Sequence, residues 1–196
     1  MDTDAQEEAG ARVLDAAEEL FYARGLQAVG MDAIRGASGV SLKRLYRLYP
    51  SKDALVEAYL RRRDERWRAA LARHAGARPA GRERLLAVYD WLGLWFAEPG
   101  FRGCAFVNSF GELGTTVPAV AEAARAHKEA FRGYVAELVA EAGLPGESTA
   151  PLVLLAEGAI ARAAVAGDTG AAHEAREAAR ALLDSVARPA PGDGKR

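Results

Sequence analysis

The sequence predicts an all-α fold, and three observations support that prediction. The 196 residues are rich in alanine, leucine, glutamate and arginine, which all favour helices. Apolar residues recur three or four positions apart, whereas the alternation typical of a half-buried strand is almost absent. Glycine and proline separate the periodic segments. We therefore expect an N-terminal three-helix helix-turn-helix domain, joined by a long helix to a larger helical domain.

The first helix is expected over residues 7–24, with Gly25 as its C-terminal stop. Its apolar residues fall on one face, at positions i, i+4, i+7 and i+8: Val13, Ala17, Leu20 and Phe21. A short second helix covers residues 31–37 and ends at a turn that contains Gly39. These two helices form the first part of the predicted N-terminal domain.

Serine and proline delimit the next two helices. Ser41 is a good N-cap for a helix over residues 42–49, and Pro50 ends it because proline lacks an N–H group and clashes with the preceding turn. Ser51 then caps a fourth helix over residues 52–73. At about 1.5 Å per residue this helix would be roughly 33 Å long, which is enough to connect two domains.

The rest of the chain is also expected to be helical. Residues 76–81 form a loop, and glycine and proline interrupt the pattern again at 98–100 and 143–146. The charged, glycine- and proline-rich tail at 189–196 is expected to be disordered. Helices are predicted between these breaks at 82–97, 104–113, 118–142, 149–166 and 170–187.

Charge is unevenly distributed along the chain. The 26 basic and 27 acidic residues give a net charge of −1, which argues against a protein coated with positive charge. Between residues 31 and 53 there are five basic and two acidic residues, a local excess of +3 (five minus two). They are Arg35, Lys43, Arg44, Arg47 and Lys52 against Asp32 and Asp53. The positive charge is therefore concentrated around the predicted third helix.

Features that would direct the chain out of the cytoplasm are missing from the sequence. Its acidic start is the opposite of the basic start of a signal peptide, and no apolar run approaches the roughly 18 residues of a membrane-spanning helix. Cys104 is the single cysteine, so the chain cannot form an internal disulfide. We therefore expect a cytoplasmic protein with no membrane association.

Residues 30–49 have the pattern of a helix-turn-helix that reads DNA. Apolar residues can pack the two short helices against the first: Phe21, Ile34, Ala37, Val40, Leu45 and Tyr49. The opposite face of the third helix carries Lys43, Arg44, Tyr46 and Arg47. Arginine and lysine donate to guanine O6 and N7, a tyrosine hydroxyl can reach phosphate, and Leu42 can touch a thymine methyl group.

Two other classes of function compete with DNA binding. The basic helix could instead dock another protein, which predicts little salt dependence, whereas neutralisation of phosphates makes DNA binding fall steeply with salt. A helical enzyme is the other alternative, but the sequence has no Gly-x-Ser-x-Gly, His-Glu-x-x-His or phosphate-binding glycine motif. We therefore predict a DNA-binding protein that is not an enzyme.

Several stretches of the first 60 residues form a specific ordered pattern. It comprises ARVLDAAEELF at 11–21, Arg-Gly at 24–25, Gly-Val-Ser at 39–41, Leu-Tyr-Arg at 45–47 and YPSKDAL at 49–55. This pattern resembles the opening helix, recognition helix and connecting helix of the TetR family of transcriptional regulators. Composition alone would rarely reproduce such an ordered set.

The resemblance implies a domain organisation and a mechanism. It implies a DNA-binding domain at residues 6–52 and a helical domain for effector binding and dimerisation at 53–188. It also implies a homodimeric repressor that leaves a palindromic operator when a small molecule binds. The alanine-rich last two helices suit a four-helix interface between two copies, because small residues allow helices to approach closely.

The resemblance also assigns roles to residues of the DNA-binding region. Tyr46 and Lys52 match the family's phosphate-contacting positions, and Leu42, Lys43 and Arg44 match its base-reading positions. The expected interface is Gly30, Met31, Ser41, Leu42, Lys43, Arg44, Tyr46, Arg47 and Lys52. The sequence departs from the family in three places. Val29 and Gly30 stand where threonine or serine is usual, Leu48 stands where histidine is frequent, and Lys43 and Arg44 stand where smaller residues are common. The first departure leaves backbone N–H groups as the phosphate donors at the start of the second helix.

Aromatic residues in the middle of the chain are candidates for a ligand pocket, since such pockets are mostly apolar with a few placed polar groups. The candidates are Trp91, Trp95, Phe106, Asn108, Phe110, His127 and Phe131. The alternative for each aromatic side chain is a place in the core. Cys104 is either a redox sensor or a small buried hydrophobe. No cofactor or metal is expected, because the three histidines lie on different predicted helices.

Overall fold

The computed structural model describes residues 2–187, which form nine α-helices and contain no strand, so the prediction of an all-α fold is confirmed. A 3₁₀ turn at Gly146–Ser148 precedes the eighth helix. The helices are α1 (Asp2–Arg24), α2 (Met31–Ser38), α3 (Leu42–Leu48), α4 (Lys52–Gly76), α5 (Arg82–Phe96), α6 (Ala105–Leu113), α7 (Pro118–Glu141), α8 (Thr149–Ala166) and α9 (Ala171–Ala187).

Most helix ends lie within one residue of their predicted positions, and two differ more. α1 begins at Asp2 instead of residue 7, so the acidic start of the chain is helical. Acidic side chains are favourable in the first turn of a helix because they face its positive dipole end. α4 continues to Gly76, three residues beyond the prediction. The tail predicted to be disordered, 189–196, lies outside the described residues.

The chain divides into two compact units, and the first contains the residues up to Trp67 together with Cys104–Lys128. Its core includes the predicted face of α1, where Val13, Ala17 and Phe21 are buried, while Leu20 is half-buried. The ring of Phe21 packs against that of Tyr59 on α4, with 5.5 Å between the ring centroids. This packing joins the helix-turn-helix to the first half of α4.

The second unit contains Arg68–Gly103 and the described residues from Glu129 onward, and α5, α8 and α9 pack together in it. The buried hydroxyl of Tyr89 donates to the carbonyl of Leu152 at 2.8 Å, and burial raises its pKa above the ordinary value. α5 packs closely on α9 at Gly93, where a Cβ atom would lie 3.5 Å from that of Ala172, an ordinary van der Waals distance.

An apolar surface lies along α8. By length and composition alone, the segment Gly146–Ala166 could cross a membrane, so the prediction that no apolar run reaches that length is wrong. Only a third of its most apolar 18-residue stretch is buried. Leu154 is 71% exposed and Val165 is 90% exposed. Its only run of large apolar side chains is the four residues at 152–155, and Glu157 and Arg162 interrupt the segment, so no long apolar run marked it in the sequence.

Candidate nucleic-acid interface

The helix-turn-helix forms around a small apolar core. Ile34, Val40 and Leu45 are buried as predicted, together with Phe21 of α1. The prediction that Ala37 joins this core is wrong, because Ala37 is exposed and Ser38 is buried in its place. Ser38 lies four residues after Ile34, on the same face of α2. Its hydroxyl donates to the carbonyl of Arg35 at 3.4 Å and accepts from the N–H of Val40 at 3.3 Å, which satisfies this buried polar group.

Local signals define the turn and both ends of α3. Gly39 caps α2 in the left-handed conformation (φ +66°), which a residue with a side chain rarely adopts. The hydroxyl of Ser41 accepts from the N–H of Arg44 at 3.4 Å, as expected for an N-cap. α3 ends at Leu48, one residue earlier than predicted, because Tyr49 is extended before Pro50.

The outer face of α3 is polar and basic, as predicted from its spacing. Leu42 and Tyr46 are 41% and 44% exposed, and Lys43 and Arg47 are also exposed. α3 contains three basic residues and no acidic residue. A short helix with this face can present cationic and hydroxyl donors to a duplex while Leu45 anchors it from the opposite side.

Arg44 is half-buried and contacts the first turns of α1. Its Nη2 donates to the carbonyl of Ala5, 39 residues away in the chain. A groove of about 350 Å³ lies at this contact, lined by Ala5, Gln6, Ser41, Lys43, Arg44, Arg47 and Leu48. The sequence reading missed this part of α1 because it placed the start of the helix at residue 7. Acidic residues are favourable in the first turn of a helix, so those before residue 7 were the signal that could have predicted the earlier start.

Tyr49 and Leu48 face a second groove of the same unit. Both are half-buried, and the Tyr49 hydroxyl donates to the carbonyl of Gly10 at 3.5 Å. Burial raises the pKa of Tyr49, an effect that the nearby Arg62 and Arg61 guanidinium groups oppose. The ring therefore packs toward α1, so that Tyr49 anchors the end of α3.

Apart from Tyr46, the predicted phosphate-contacting positions lie at the starts of two helices. Gly30 is the N-cap of α2 and has no side chain to accept a hydrogen bond from the first turn. Main-chain N–H groups at the start of α2, including that of the half-buried Met31, are therefore left to donate to a phosphate. Lys52 is the first residue of α4, and Ser51 accepts from the N–H of Ala54 at 3.1 Å. The Nζ atom of Lys52 donates to the carbonyl of Gln27 at 3.5 Å. Gln27 was not singled out in the sequence, because a lone loop glutamine carries no pattern.

A cluster of ion pairs fastens α4 to α1 beside the helix-turn-helix. The carboxylate of Glu18 accepts from Arg62 at 2.8 Å, from Arg63 at 3.0 Å and from Arg66 at 3.0 Å. Asp15 also accepts from Arg62, at 2.9 Å. These contacts fix the direction in which α4 leaves the helix-turn-helix.

The candidate pocket residues are divided between the two units. In the first unit, the Phe106 ring stacks on the buried His127 ring at 3.8 Å between centroids, and His127 Nδ1 lies 2.7 Å from an oxygen of Asp64. Asn108 and Phe110 are exposed on α6. In the second unit, Trp91 and Trp95 stack at 5.7 Å and Phe131 is buried.

Cys104 is buried as the N-cap of α6, and its sulfur accepts from Lys128 Nζ at 3.5 Å. Burial agrees with its interpretation as a small hydrophobe. Within residues 2–187, no group of three or more His, Cys, Asp or Glu side chains is arranged to hold a metal ion.

Two family profiles together match much of the chain. Residues 13–59 match the profile of bacterial regulatory proteins of the tetR family, and residues 81–179 match that of the tetracyclin repressor-like C-terminal domain. The first match contains α2, α3 and the start of α4. The second contains α5 to α8 and part of α9.

Individual proteins show the same similarity. The crystal structure of a TetR-family transcriptional regulator from Streptomyces coelicolor is 33% identical, covers 95% of this chain and 96% of its own, and superposes with a TM-score of 0.84. A TetR transcriptional regulator from Chloroflexus aurantiacus shares the fold at 20% identity, with a TM-score of 0.80 and coverage of 95% of this chain and 100% of its own. An uncharacterized HTH-type transcriptional regulator of Mycobacterium tuberculosis is 46% identical over 55 residues, which are 28% of this chain and 27% of that protein.

Proposed function

This chain belongs to the tetR family of bacterial regulatory proteins, and on that premise we propose that it is a homodimeric repressor that releases a palindromic operator when a small molecule binds. The resemblance found in the first 60 residues is thereby confirmed. The protein is a DNA-binding transcriptional regulator, and its relatives are regulators and not enzymes, as predicted. The exposed basic face of α3 is the observation that carries the proposal.

We assign base reading to the start of α3 and phosphate contact to its flanks. Lys43 and Arg44 lie on the first turn, where a recognition helix meets base edges in the major groove. Arg44 has five N–H donors, so its bond to the carbonyl of Ala5 leaves others to donate to guanine. Tyr46, Lys52 and the main-chain N–H groups after Gly30 are assigned to phosphates, which set register without reading sequence.

A selected-site experiment tests these assignments. We expect Arg44→Ala to relax preference at one base pair of each half-site, because a base-reading donor is lost. Lys52→Ala should weaken binding to all sequences alike and reduce the salt dependence of the affinity. Binding should fall steeply with salt for the unchanged protein. An unaltered sequence profile for Arg44→Ala would refute the base-reading assignment, and salt-independent binding would favour a docking module.

The proposed dimer uses the apolar face of α8. Leu154, Gly158, Ala161 and Val165 are all exposed and recur every three or four residues, so they lie on one face of the helix. A second copy that covers this face would bury the large apolar side chains, and the small residues would let the helices approach closely. Such a dimer would place two recognition helices on half-sites about 34–36 Å apart.

Light scattering tests the dimer. We expect the protein to have twice the mass of one chain, and Val165→Asp to halve that mass because a charge would be buried at the interface. Val107→Asp is the control, since Val107 is also an exposed valine but lies on α6. A monomeric wild-type protein, or an unchanged mass for Val165→Asp, would exclude this interface. The cytoplasmic location that we propose rests on the DNA target and on the single cysteine.

The proposed effector is an apolar small molecule, since aromatic side chains dominate the candidate residues. Stacked Trp91 and Trp95 of the second unit would respond to its binding through their fluorescence. A ligand lowers operator affinity if it binds more tightly to a dimer arrangement that does not fit the operator. The loss of affinity is at most the ratio of the ligand's affinities for the two arrangements. Screening metabolite fractions for loss of operator binding tests release, and an affinity that no fraction changes would contradict it.

A further inference from the structure

The loop between α1 and α2 is held by a residue of α6. The main-chain N–H of Gln27 donates to Glu112 Oε2 at 2.9 Å, and the side-chain Nε2 of Gln27 donates to the carbonyl of Glu112 at 2.7 Å. The two residues are 85 positions apart in the chain and belong to the same compact unit. Two hydrogen bonds therefore hold Gln27 against Glu112, one donated by the main chain of Gln27 and one by its side chain.

Gly25 allows the carboxylate of Glu112 to reach this loop. Gly25 has φ +86°, and a Cβ atom at this position would lie 2.8 Å from Glu112 Oε1 and 2.9 Å from Oε2. The positive φ therefore favours glycine here, and a side chain would also displace the Glu112 carboxylate.

The other side of the same loop residue holds Lys52. The carbonyl of Gln27 accepts from Lys52 Nζ at 3.5 Å, and Lys52 is the first residue of α4. A lysine ammonium group has three donors, so one bond to Gln27 leaves two for a phosphate. Gln27 thus connects Glu112 of α6 with a side chain assigned to the DNA backbone.

We propose that Glu112 is a positioning residue for DNA binding, which holds Gln27 so that its carbonyl places the Lys52 ammonium group for a phosphate contact. This inference rests on the proposed function and adds to it a determinant outside the helix-turn-helix. It makes the strength of one backbone contact depend on α6. A displacement of α6 that moves Glu112 would release Lys52 without altering the residues that face the bases.

Operator affinity and its salt dependence test the proposal on the full-length protein. The probe is a fluorescent duplex that carries the site selected in vitro by the wild-type protein. We expect Glu112→Ala to weaken binding roughly three- to tenfold, the range for one lost hydrogen-bonded contact. The slope of log affinity against log salt should fall by about 0.9 per protomer, as for one lost phosphate contact. Lys52→Ala should produce the same loss of slope.

A double-mutant comparison separates positioning from a structural role. Because Glu112 acts through Lys52, Glu112→Ala combined with Lys52→Ala should bind no more weakly than Lys52→Ala alone. Glu112→Gln retains an acceptor oxygen and should recover most of the affinity and slope. Glu122→Ala on α7 is the control, since Glu122 is exposed and pairs with Arg125 within its own helix. Gln27→Ala, which removes one of the two bonds to Glu112, replaces Glu112→Ala in the comparison if the latter does not fold.

The outcomes distinguish this inference from the proposed function. If the wild-type protein shows no salt-dependent DNA binding, the proposed function fails. If Lys52→Ala lowers the slope but Glu112→Ala does not, the inference alone is overturned. Independent losses in the double variant, or a lower melting temperature with an unchanged slope, would also overturn it, because either result would mean that Glu112 supports only the fold.

Discussion

Replacing Glu18 by alanine tests whether the ion-pair cluster between α1 and α4 stabilises the DNA-binding unit. Glu18 is 17% exposed and accepts hydrogen bonds from three guanidinium groups. Arg62 and Arg63 are similarly shielded, at 15% and 17% exposure, whereas Arg66 is 57% exposed. The variant removes one acceptor and leaves two poorly hydrated cations behind.

The size of the effect follows from these exposures. The shielded bonds to Arg62 and Arg63 contribute about 1 kcal/mol each, below the range for fully buried charged partners. The bond to the exposed Arg66 contributes at most about 0.5 kcal/mol. Asp15 still accepts from Arg62 in the variant and offsets part of the loss. We therefore expect the free energy of unfolding to fall by about 2 kcal/mol, or the Tm by roughly 4–8 °C for a chain of this length.

Thermal unfolding followed by far-UV circular dichroism measures this change. Glu19→Ala is the matched control, because Glu19 is the neighbouring glutamate on the same helix and is exposed. The control should stay within about 0.5 kcal/mol of the wild-type protein, as is usual for surface substitutions. If Glu18→Ala melts together with Glu19→Ala, the reasoning that shielded ion pairs fasten α4 to α1 is refuted.

Three further predictions concern single side chains. Gly39→Ala should lower the free energy of unfolding by about 1–2 kcal/mol in a chemical denaturation curve, since the backbone of Gly39 is left-handed. The control Gly36→Ala lies within α2 with open space around it and should not be destabilising. Equal effects of the two substitutions would contradict this account. Gly25→Ala should cost at least as much, because it adds a clash with Glu112 to the strain, and Glu112→Ala should relieve part of that cost in the double variant. Burial raises the pKa of Tyr89, so the contribution of this phenol to the free energy of unfolding is complete below pH 10 and is lost as pH rises further, by about 1.4 kcal/mol per pH unit. Tyr89→Phe should therefore flatten the alkaline decline of the free energy of unfolding. An unchanged slope of that free energy against pH would contradict this account.

The sequence alone determined the helices and most of their ends, because the signals for both are local. Apolar spacing identifies a helix from its own residues. Gly39, Ser41 and Pro50 act on the turn in which they stand, by left-handed backbone, hydroxyl cap and missing N–H group. For the same reason the exposed basic face of α3 could be predicted, since Leu45 fixes which side of that short helix is buried.

Only the tertiary structure decided which distant residues meet. The contacts of Arg44 with Ala5, of Glu18 with α4 and of Gln27 with Glu112 join positions 39 to 85 residues apart. They depend on how the helices are rotated and how closely they approach, and spacing within one helix carries no record of either. The burial of Ser38 in place of Ala37 has the same origin, because the two residues are neighbours on α2 and packing against other helices selects between them.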